Sequence, residues 1–261
     1  MSDPLFLEER RRVILDLLEQ RGRVTVKELS DEMQVSEVTI RQDLRSLQEL
    51  GLLERTYGGA VARGGSFGLK ELSFNLRQMK KHDQKDAIAA RAATLVHDGY
   101  SVALDSSTTV YAVVSYLKSF DNLTVVTNSL MVAQGFLDTD DHHARVLLAG
   151  GRLRRDSISA VGMPESLPPV NVNVCFFSAR GIIESVGASE IDPDEVVVKQ
   201  TMIARSAEAV LLVDGSKWGK IAPFTIVPPS KLRHVITSGD APPEQVAHFR
   251  SLGIRVDVVD V

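Results

Sequence analysis

The pattern of apolar and polar positions changes period once along this chain, and the change divides it in two. Up to about Arg63 the apolar residues recur at helical spacing; from about Asp83 onward, short apolar runs alternate with helical stretches. In the first part, Val13, Ile14, Leu17 and Leu18 form one stripe and predict a helix over Leu7–Gln20, stopped by Gly22. Thr25-Val-Lys-Glu28 fits a capping box, in which hydroxyl and carboxylate satisfy two orphan amide donors, so a second helix is expected to run to about Met33. Ser36 is the next N-cap candidate and opens a third, Ser36–Leu50. At about 100° per residue, Ile40, Leu44 and Leu47 share an arc that must pack inward. The opposite side carries Val38, Gln42, Arg45 and Glu49, flanked by Thr39, Arg41 and Ser46. After Gly51, the run from Leu52 to Ala60 predicts a tight two-stranded turn.

In the second part the expected strands are Ser101–Asp105, Leu123–Thr127, Arg145–Ala149, Val172–Ser178, Ala209–Asp214, His234–Thr237 and Arg255–Val259. Helical periods fall between several of them, at Lys85–Val96, Val110–Leu117 and Val196–Ala207. Apolar runs buried on both faces and joined by helices are the pattern of a parallel α/β sheet. The glycine-rich stretch up to Gly68 has little to bury and reads as a linker. The expected organisation is therefore 1–63, a linker over 64–82, and 83–261.

Two helices joined by the short turn Gln34-Val35, the second with a polar front, form a helix-turn-helix, and the following two-stranded turn is its wing. The front suits a DNA major groove. Gln42 can pair bidentately with adenine, Arg41 or Arg45 with guanine or phosphate, and the Val38 methyls can meet a thymine methyl. The helix start at Ser36 attracts a phosphate, and Arg55 and Tyr57 on the wing reach the backbone or minor groove. Pattern alone equally fits a three-helix packing module with a solvated face: residues 1–63 hold ten Lys/Arg against twelve Asp/Glu, a net charge of −2. The whole chain is −4 at pH 7 with a pI near 5.9. Any affinity for nucleic acid must then come from local charge.

At Val24-Thr-Val-Lys-Glu-Leu, Val35-Ser-Glu-Val-Thr-Ile-Arg-Gln-Asp-Leu44, Gly51 and Arg55-Thr-Tyr-Gly-Gly-Ala60 the chain closely resembles the N-terminal signature of DeoR-type transcriptional regulators. Gln42 stands where that family usually has a second Arg, and Tyr57 where it often has His. The resemblance continues through Lys85-Asp-Ala-Ile-Ala, Asp105-Ser-Ser-Thr-Thr109, Val126-Thr-Asn-Ser129, Leu148-Ala-Gly-Gly151 and Asp214-Gly-Ser-Lys-Trp-Gly219. It implies a winged helix-turn-helix followed by an α/β sensor domain similar in fold to ribose-5-phosphate isomerase, which takes phosphorylated sugars or related metabolites.

Ligands of open α/β sheets sit at the carboxyl ends of the strands, and helix N-termini hold anions. Asp105, Ser106, Ser107, Thr108 and Thr109 follow one expected strand, Thr127, Asn128 and Ser129 the next, Gly150 and Gly151 the one after, and Lys217 a further one. Backbone amides and hydroxyls there are expected to hold a phosphate, Asp105 to accept from sugar hydroxyls, the glycines to admit a ligand close to the backbone, and Lys217 to neutralise charge. The chain departs from the family pattern with Ser107 in place of glycine and with Asn173-Val-Cys-Phe-Phe-Ser-Ala-Arg-Gly181, which exchanges a carboxylate at Asn173 and adds Arg180. Those changes predict a more positive pocket and an effector more anionic than a simple sugar monophosphate, or differently placed.

The remaining chemistry is thin. A hydrophobic fraction of 44% and a charged fraction of 25% are those of a globular protein and exclude disorder and collagen-like repeats. The single cysteine, Cys175, cannot form an internal bridge. No apolar stretch approaches the roughly 18–20 residues of a membrane span, and the first ten residues lack signal-peptide order, so a cytoplasmic protein is expected. No phosphate-loop, Gly-x-Ser-x-Gly or Gly-x-Gly-x-x-Gly motif occurs. His142-His143 reads as a solvated loop tip, so no metal and no cofactor are expected. The sequence thus predicts a sugar- or polyol-operon repressor acting on double-stranded operator DNA as a homodimer or larger homo-oligomer. A contrasting class is a sugar-phosphate isomerase with an appended DNA module, for which Asp105, Glu184 and Glu195 are the available carboxylates. A third is a scaffold that binds no ligand.

Overall fold

A computed structural model of the chain describes residues 7–49, 53–62, 74–137 and 144–261. It divides into units spanning Met1–Lys81 and His82–Val261. Leu50, Gly51, Leu52, residues 64–73 of the expected linker and the His142-His143 tip lie outside the described residues.

The first unit runs α1 (Leu7–Arg21), β1 (Arg23–Thr25), α2 (Val26–Met33), α3 (Glu37–Glu49), β2 (Leu53–Thr56) and β3 (Gly59–Ala62), and ends with the short helix α4 (Phe74–Met79) inside the expected linker. Thr25 and Glu28 make the capping box: Thr25 Oγ1 accepts from the Glu28 amide at 3.2 Å, and Glu28 Oε2 accepts from the Thr25 amide at 3.0 Å. Gln34 ends α2 in the left-handed region, at φ 54°, which turns the chain sharply into α3. Ile14, Leu18, Leu29, Ile40, Leu44 and Leu47 are buried in one cluster.

The wing is larger than predicted. β3 pairs with β2 and also with β1, so the sheet has three strands in the order β1-β3-β2. A three-residue strand squeezed between two helices has too little alternation to stand out in the sequence. Gly58 turns the hairpin at φ +87°. Gly59 lets β3 reach β1, since a Cβ there would lie 2.1 Å from the Val24 carbonyl oxygen.

The second unit is built on seven parallel strands: β4 (Ser101–Leu104), β5 (Thr124–Thr127), β6 (Arg145–Leu148), β9 (Val172–Phe177), β12 (Ser206–Val213), β14 (His234–Ser238) and β15 (Arg255–Val259). Each coincides with one of the seven apolar runs. Alternate residues enter two cores. Val102, Leu104, Val174, Phe176, Val210 and Leu212 face α5 (His82–Ala93), α6 (Thr108–Tyr111), α7 (Val114–Leu117) and α8 (Leu130–Leu137). Ala103, Cys175, Phe177, Leu211 and Val213 face α9 (Pro193–Ala204) and α10 (Pro243–Ser251). The strand order β15-β14-β12-β9-β4-β5-β6 reverses direction between β4 and β9. That reversal puts the topological switch point, where open α/β sheets take their ligands, at the carboxyl ends of the two central strands.

Antiparallel excursions crowd the same edge: the hairpin β7 (Arg152–Arg154) with β8 (Ser159–Val161), and the small sheet of β10 (Gly181–Ile183), β11 (Gly187–Glu190) and β13 (Phe224–Val227). The sequence had marked neither.

In the first unit, Asp43 is the polar residue on the buried side of α3. It accepts from Arg10 Nε at 2.6 Å and from Arg11 Nε at 3.2 Å. Breaking a buried pair by removing one partner costs about 3–5 kcal/mol. Asp43→Ala is therefore expected to destabilise this unit by that order in urea denaturation.

Candidate functional site

The capping of α3 uses two of the candidate residues. Ser36 Oγ accepts from the Thr39 amide at 3.1 Å and lies 2.9 Å from Thr39 Oγ1. The ion pairs of Asp43 with α1 fix the rotation of the helix, so its opposite side faces solvent. Val38 is 69% exposed, and Arg41, Gln42 and Arg45 are exposed with it. Arg41 is drawn back along the helix to Glu37. On the wing, Arg55 ends in solvent and Tyr57, at the hairpin tip, is fully exposed. A helix N-terminus, an apolar methyl pair, an amide and a guanidinium together offer the groups that meet phosphates and major-groove base edges.

At the carboxyl edge of the parallel sheet, the loop after β4 crosses to the loop after β9. Asp105 Oδ1 accepts from the Ser107 amide at 2.9 Å and Oδ2 from the Ser178 amide at 2.8 Å. The Lys199 ammonium, from α9, lies 3.2 Å from Asp105 Oδ2, donates to the Ser178 carbonyl at 2.9 Å and donates to Glu190 Oε2 at 2.9 Å. Lys199 is 3% exposed and its three oxygen partners are also buried. Burial opposes its charge, but the carboxylates of Glu190, Asp105 and Glu195 outweigh burial and raise its pKa. Glu190 responds in kind: burial works against its ionisation, yet Lys199 and Arg180 hold it down at about 2, from an ordinary 4.5. Beside this cluster, Ser106 donates to Glu195 Oε1 at 3.3 Å, and Arg154 reaches Glu195 at 3.0 Å and Asp192 at 3.3 Å.

The predicted sensor residues all lie along this edge, with differing duties. Asp105 gives both oxygens to the protein, which positions the loop. Ser107 caps α6 through the Val110 amide, which is what serine achieves where glycine was expected. Thr108 and Thr109 form the first turn of that helix and are buried. Thr127 donates to the Leu104 carbonyl, and Ser129 caps α8 at the Val132 amide. Asn128 Nδ2 donates to the Ala160 carbonyl, while its Oδ1 is buried without a partner among the described residues. Gly151 sits at φ +146°, and a Cβ there would lie 2.5 Å from the Val161 carbonyl oxygen, so the close approach it permits is that of the hairpin. Gly150 meets only the Ser166 side chain, no nearer than 3.7 Å. Lys217 ends the half-buried turn Gly215–Lys217 after β12.

The expectation of a more positive pocket fails. Asn173 is the second residue of β9, at the amino edge, where its Oδ1 accepts from the Ser101 amide at 2.8 Å. At about 3.3 Å per residue it lies roughly 16 Å from Ser178. Arg180 does reach the carboxyl edge, where Glu190 lies 3.3 Å from it and offsets its charge. The sequence reading missed Lys199, Glu190, Ser178 and Arg154. The available signal was a lysine four residues after Glu195 in a helix otherwise filled by Val196, Val198 and Met202, where a solvated lysine does not belong. Among the described residues no group of histidine, cysteine and carboxylate side chains is arranged to hold a metal ion, and no helix is long and apolar enough to cross a membrane.

Comparison with known proteins agrees across the chain. Residues 10–63 match the profile of the DeoR-like helix-turn-helix domain, and residues 80–239 that of the DeoR C terminal sensor domain. The HTH-type transcriptional regulator GolR of Listeria innocua is 31% identical over 258 residues, covering 98% of this chain and 100% of that protein. The HTH-type transcriptional repressor GlcR of Bacillus subtilis is 33% identical over 217 residues, 82% of each. Among solved structures, ribose 5-phosphate isomerase A of Methanocaldococcus jannaschii aligns with a TM-score of 0.39 and 17% identity, over 53% of this chain and 55% of that one. A likeness of that degree says nothing about activity.

Two outcomes follow for the buried cluster. Lys199→Met strands Asp105 and leaves Glu190 only its longer pair with Arg180, and should lower the stability of the second unit by about 3–5 kcal/mol in chemical denaturation. Because folding depresses the pKa of Glu190, its contribution is complete above pH 4.5 and is lost as the pH falls from there towards 2. The melting temperature of Glu190→Gln should therefore depend less on pH across that window than that of the wild type.

Proposed function

The chain belongs to the DeoR family of transcriptional regulators, and from that premise we propose that it represses a sugar or polyol catabolic operon and is released from its operator by a phosphorylated sugar or related metabolite. The observation that carries the DNA half is the free face of α3, held outward by the Asp43 ion pairs. On this reading α3 enters the major groove with Val38, Thr39, Arg41, Gln42 and Arg45, the start of the helix at Ser36 meets a phosphate, and Arg55 and Tyr57 rest on the backbone or minor groove.

The effector half is supported by the switch in strand order between β4 and β9, the position where open α/β sheets take ligands. Ser106, Ser107, Thr108 and Thr109 at the start of α6, Asn128, Gly150 and Lys217 face an anionic, hydroxyl-rich molecule there, with Asp105, Thr127, Ser129 and Gly151 shaping the loops. Repressors of sugar use among the relatives, such as the lactose phosphotransferase system repressor of Staphylococcus epidermidis, support the same class of effector. A single short helix spans too few base pairs for useful specificity, so the protein works as a homodimer or larger homo-oligomer on a two-fold operator, in the cytoplasm. The isomerase alternative needs a poised carboxylate. The two candidate carboxylates at this edge are both tied to the protein, Asp105 by the Ser107 and Ser178 amides and Lys199, and Glu195 by Ser106 and Arg154, which speaks against it.

Binding of the purified protein to DNA upstream of its own gene tests the first half. Gln42→Ala with Arg45→Ala should lose specific retention by at least about 10-fold at moderate salt; unchanged retention contradicts the assignment. For the second half, a thermal-shift screen of phosphorylated sugars, polyols and sugar acids should find a ligand that adds about 2.7 kcal/mol at 100 times its dissociation constant and releases the DNA. DNA that stays bound at every concentration of such a ligand contradicts induction, and steady turnover of a pentose phosphate would favour the enzyme.

A further inference from the structure

Six side chains at the start and on the front of α3 are chemically able to meet DNA, but the structure does not leave them equally available. Ser36 and Thr39 are engaged with each other at the helix start. Arg41 is paired with Glu37, one turn back, which directs its guanidinium along the helix flank. Among the described residues Gln42 and Arg45 hold no intramolecular hydrogen bond or ion pair, and Val38 is an exposed β-branched residue in the first turn.

At 3.6 residues per turn, Val38, Gln42 and Arg45 (positions i, i+4 and i+7) fall within an arc of roughly 60°, and the buried Ile40 and Leu47 are centred almost opposite. Their axial spacings are about 6 Å and about 4.5 Å, against about 3.4 Å per base step. Neighbouring contacts then fall one to two base pairs apart, and the line spans three or four.

We propose that Val38, Gln42 and Arg45 are the base-reading set, and that each operator half-site carries, in line, a thymine whose methyl packs on Val38, an adenine paired bidentately by Gln42, and a guanine paired by Arg45, while Arg41 serves a phosphate. The proposal rests on α3 entering the major groove. It goes further by assigning a base to each side chain and by removing Arg41 from the code. The chemistry is selective at every position: only thymine offers a C5 methyl, adenine offers the N6 donor beside the N7 acceptor that an amide matches, and guanine offers the O6 and N7 acceptor pair that a guanidinium matches.

The test uses the full chain and a pool of randomised 30-base-pair duplexes. Selection should enrich a half-site with thymine, adenine and guanine within about four base pairs. Replacing the Val38-facing thymine by deoxyuridine removes one methyl group, and should weaken wild-type binding by about four-fold while leaving Val38→Ala indifferent to the exchange. Gln42→Ala should lose the adenine preference, and Arg45→Ala the guanine preference. Arg41→Ala should weaken all duplexes alike and reduce the salt dependence by about one phosphate contact. A selected site whose base preferences survive Val38→Ala, Gln42→Ala and Arg45→Ala overturns the assignment while leaving DNA recognition by the domain intact. A loss of one base preference in Arg41→Ala overturns its exclusion from the code. If no sequence is enriched, groove recognition by α3 falls, and the assignment with it.

Discussion

A fully buried ammonium is tolerable only if oxygen atoms surround it closely, because an isolated charge of that kind is far too costly away from water. The Lys199 amino group meets that condition with the Asp105 carboxylate, the Glu190 carboxylate and the Ser178 carbonyl. Those partners belong to the end of β4, the end of β11 and the end of β9. The requirement to satisfy one cation therefore fixes where three loops meet, at the point where the strand order of the sheet reverses. Asp105 passes the constraint on: its other oxygen receives the Ser107 amide, and Ser107 starts α6.

What was legible in the sequence was local. The inner parallel strands announce themselves as apolar runs because they are buried on both faces, while the outermost, β6 and β15, are partly exposed and keep enough valine and leucine to stand out. The Thr25–Glu28 cap and the Ile40, Leu44, Leu47 stripe are settled within a turn or two of helix. What was not legible depends on partners distant in the chain. β1 becomes a strand only because β3 comes to lie beside it. The β7–β8 hairpin is too short and too polar to suggest a strand pair. Lys199 is a core residue solely through contacts made 9, 21 and 94 positions away. Asn173 shows the reverse error, since a residue adjacent in sequence to a site was assigned to it although the strand carries it to the opposite edge.

Charge counting misleads in the first unit for a related reason. Residues 1–63 are net acidic, and internal pairing takes up cations and carboxylates alike: Asp43 with Arg10 and Arg11, Glu32 with Arg21, and Glu28 in the cap of α2. Only the groups left facing outward meet an approaching polyanion. On α3 these include an amide and a guanidinium, in a domain whose sum is negative. Local placement of charge governs such an encounter, with bulk charge a weak guide.

Helix α9 joins features that are otherwise separate. Its capped, acidic first turn grips the β7–β8 hairpin through Arg152 on Asp194 and Arg154 on Glu195; one turn further on it supplies Lys199; and Gln200 donates to the carbonyls of Thr225 and Ile226 in β13. Twelve residues of helix are too stiff to bend between those attachments. One helix thus serves as the common support for the hairpin, the buried cation and the small antiparallel sheet, so the loops along that edge are not anchored independently of one another.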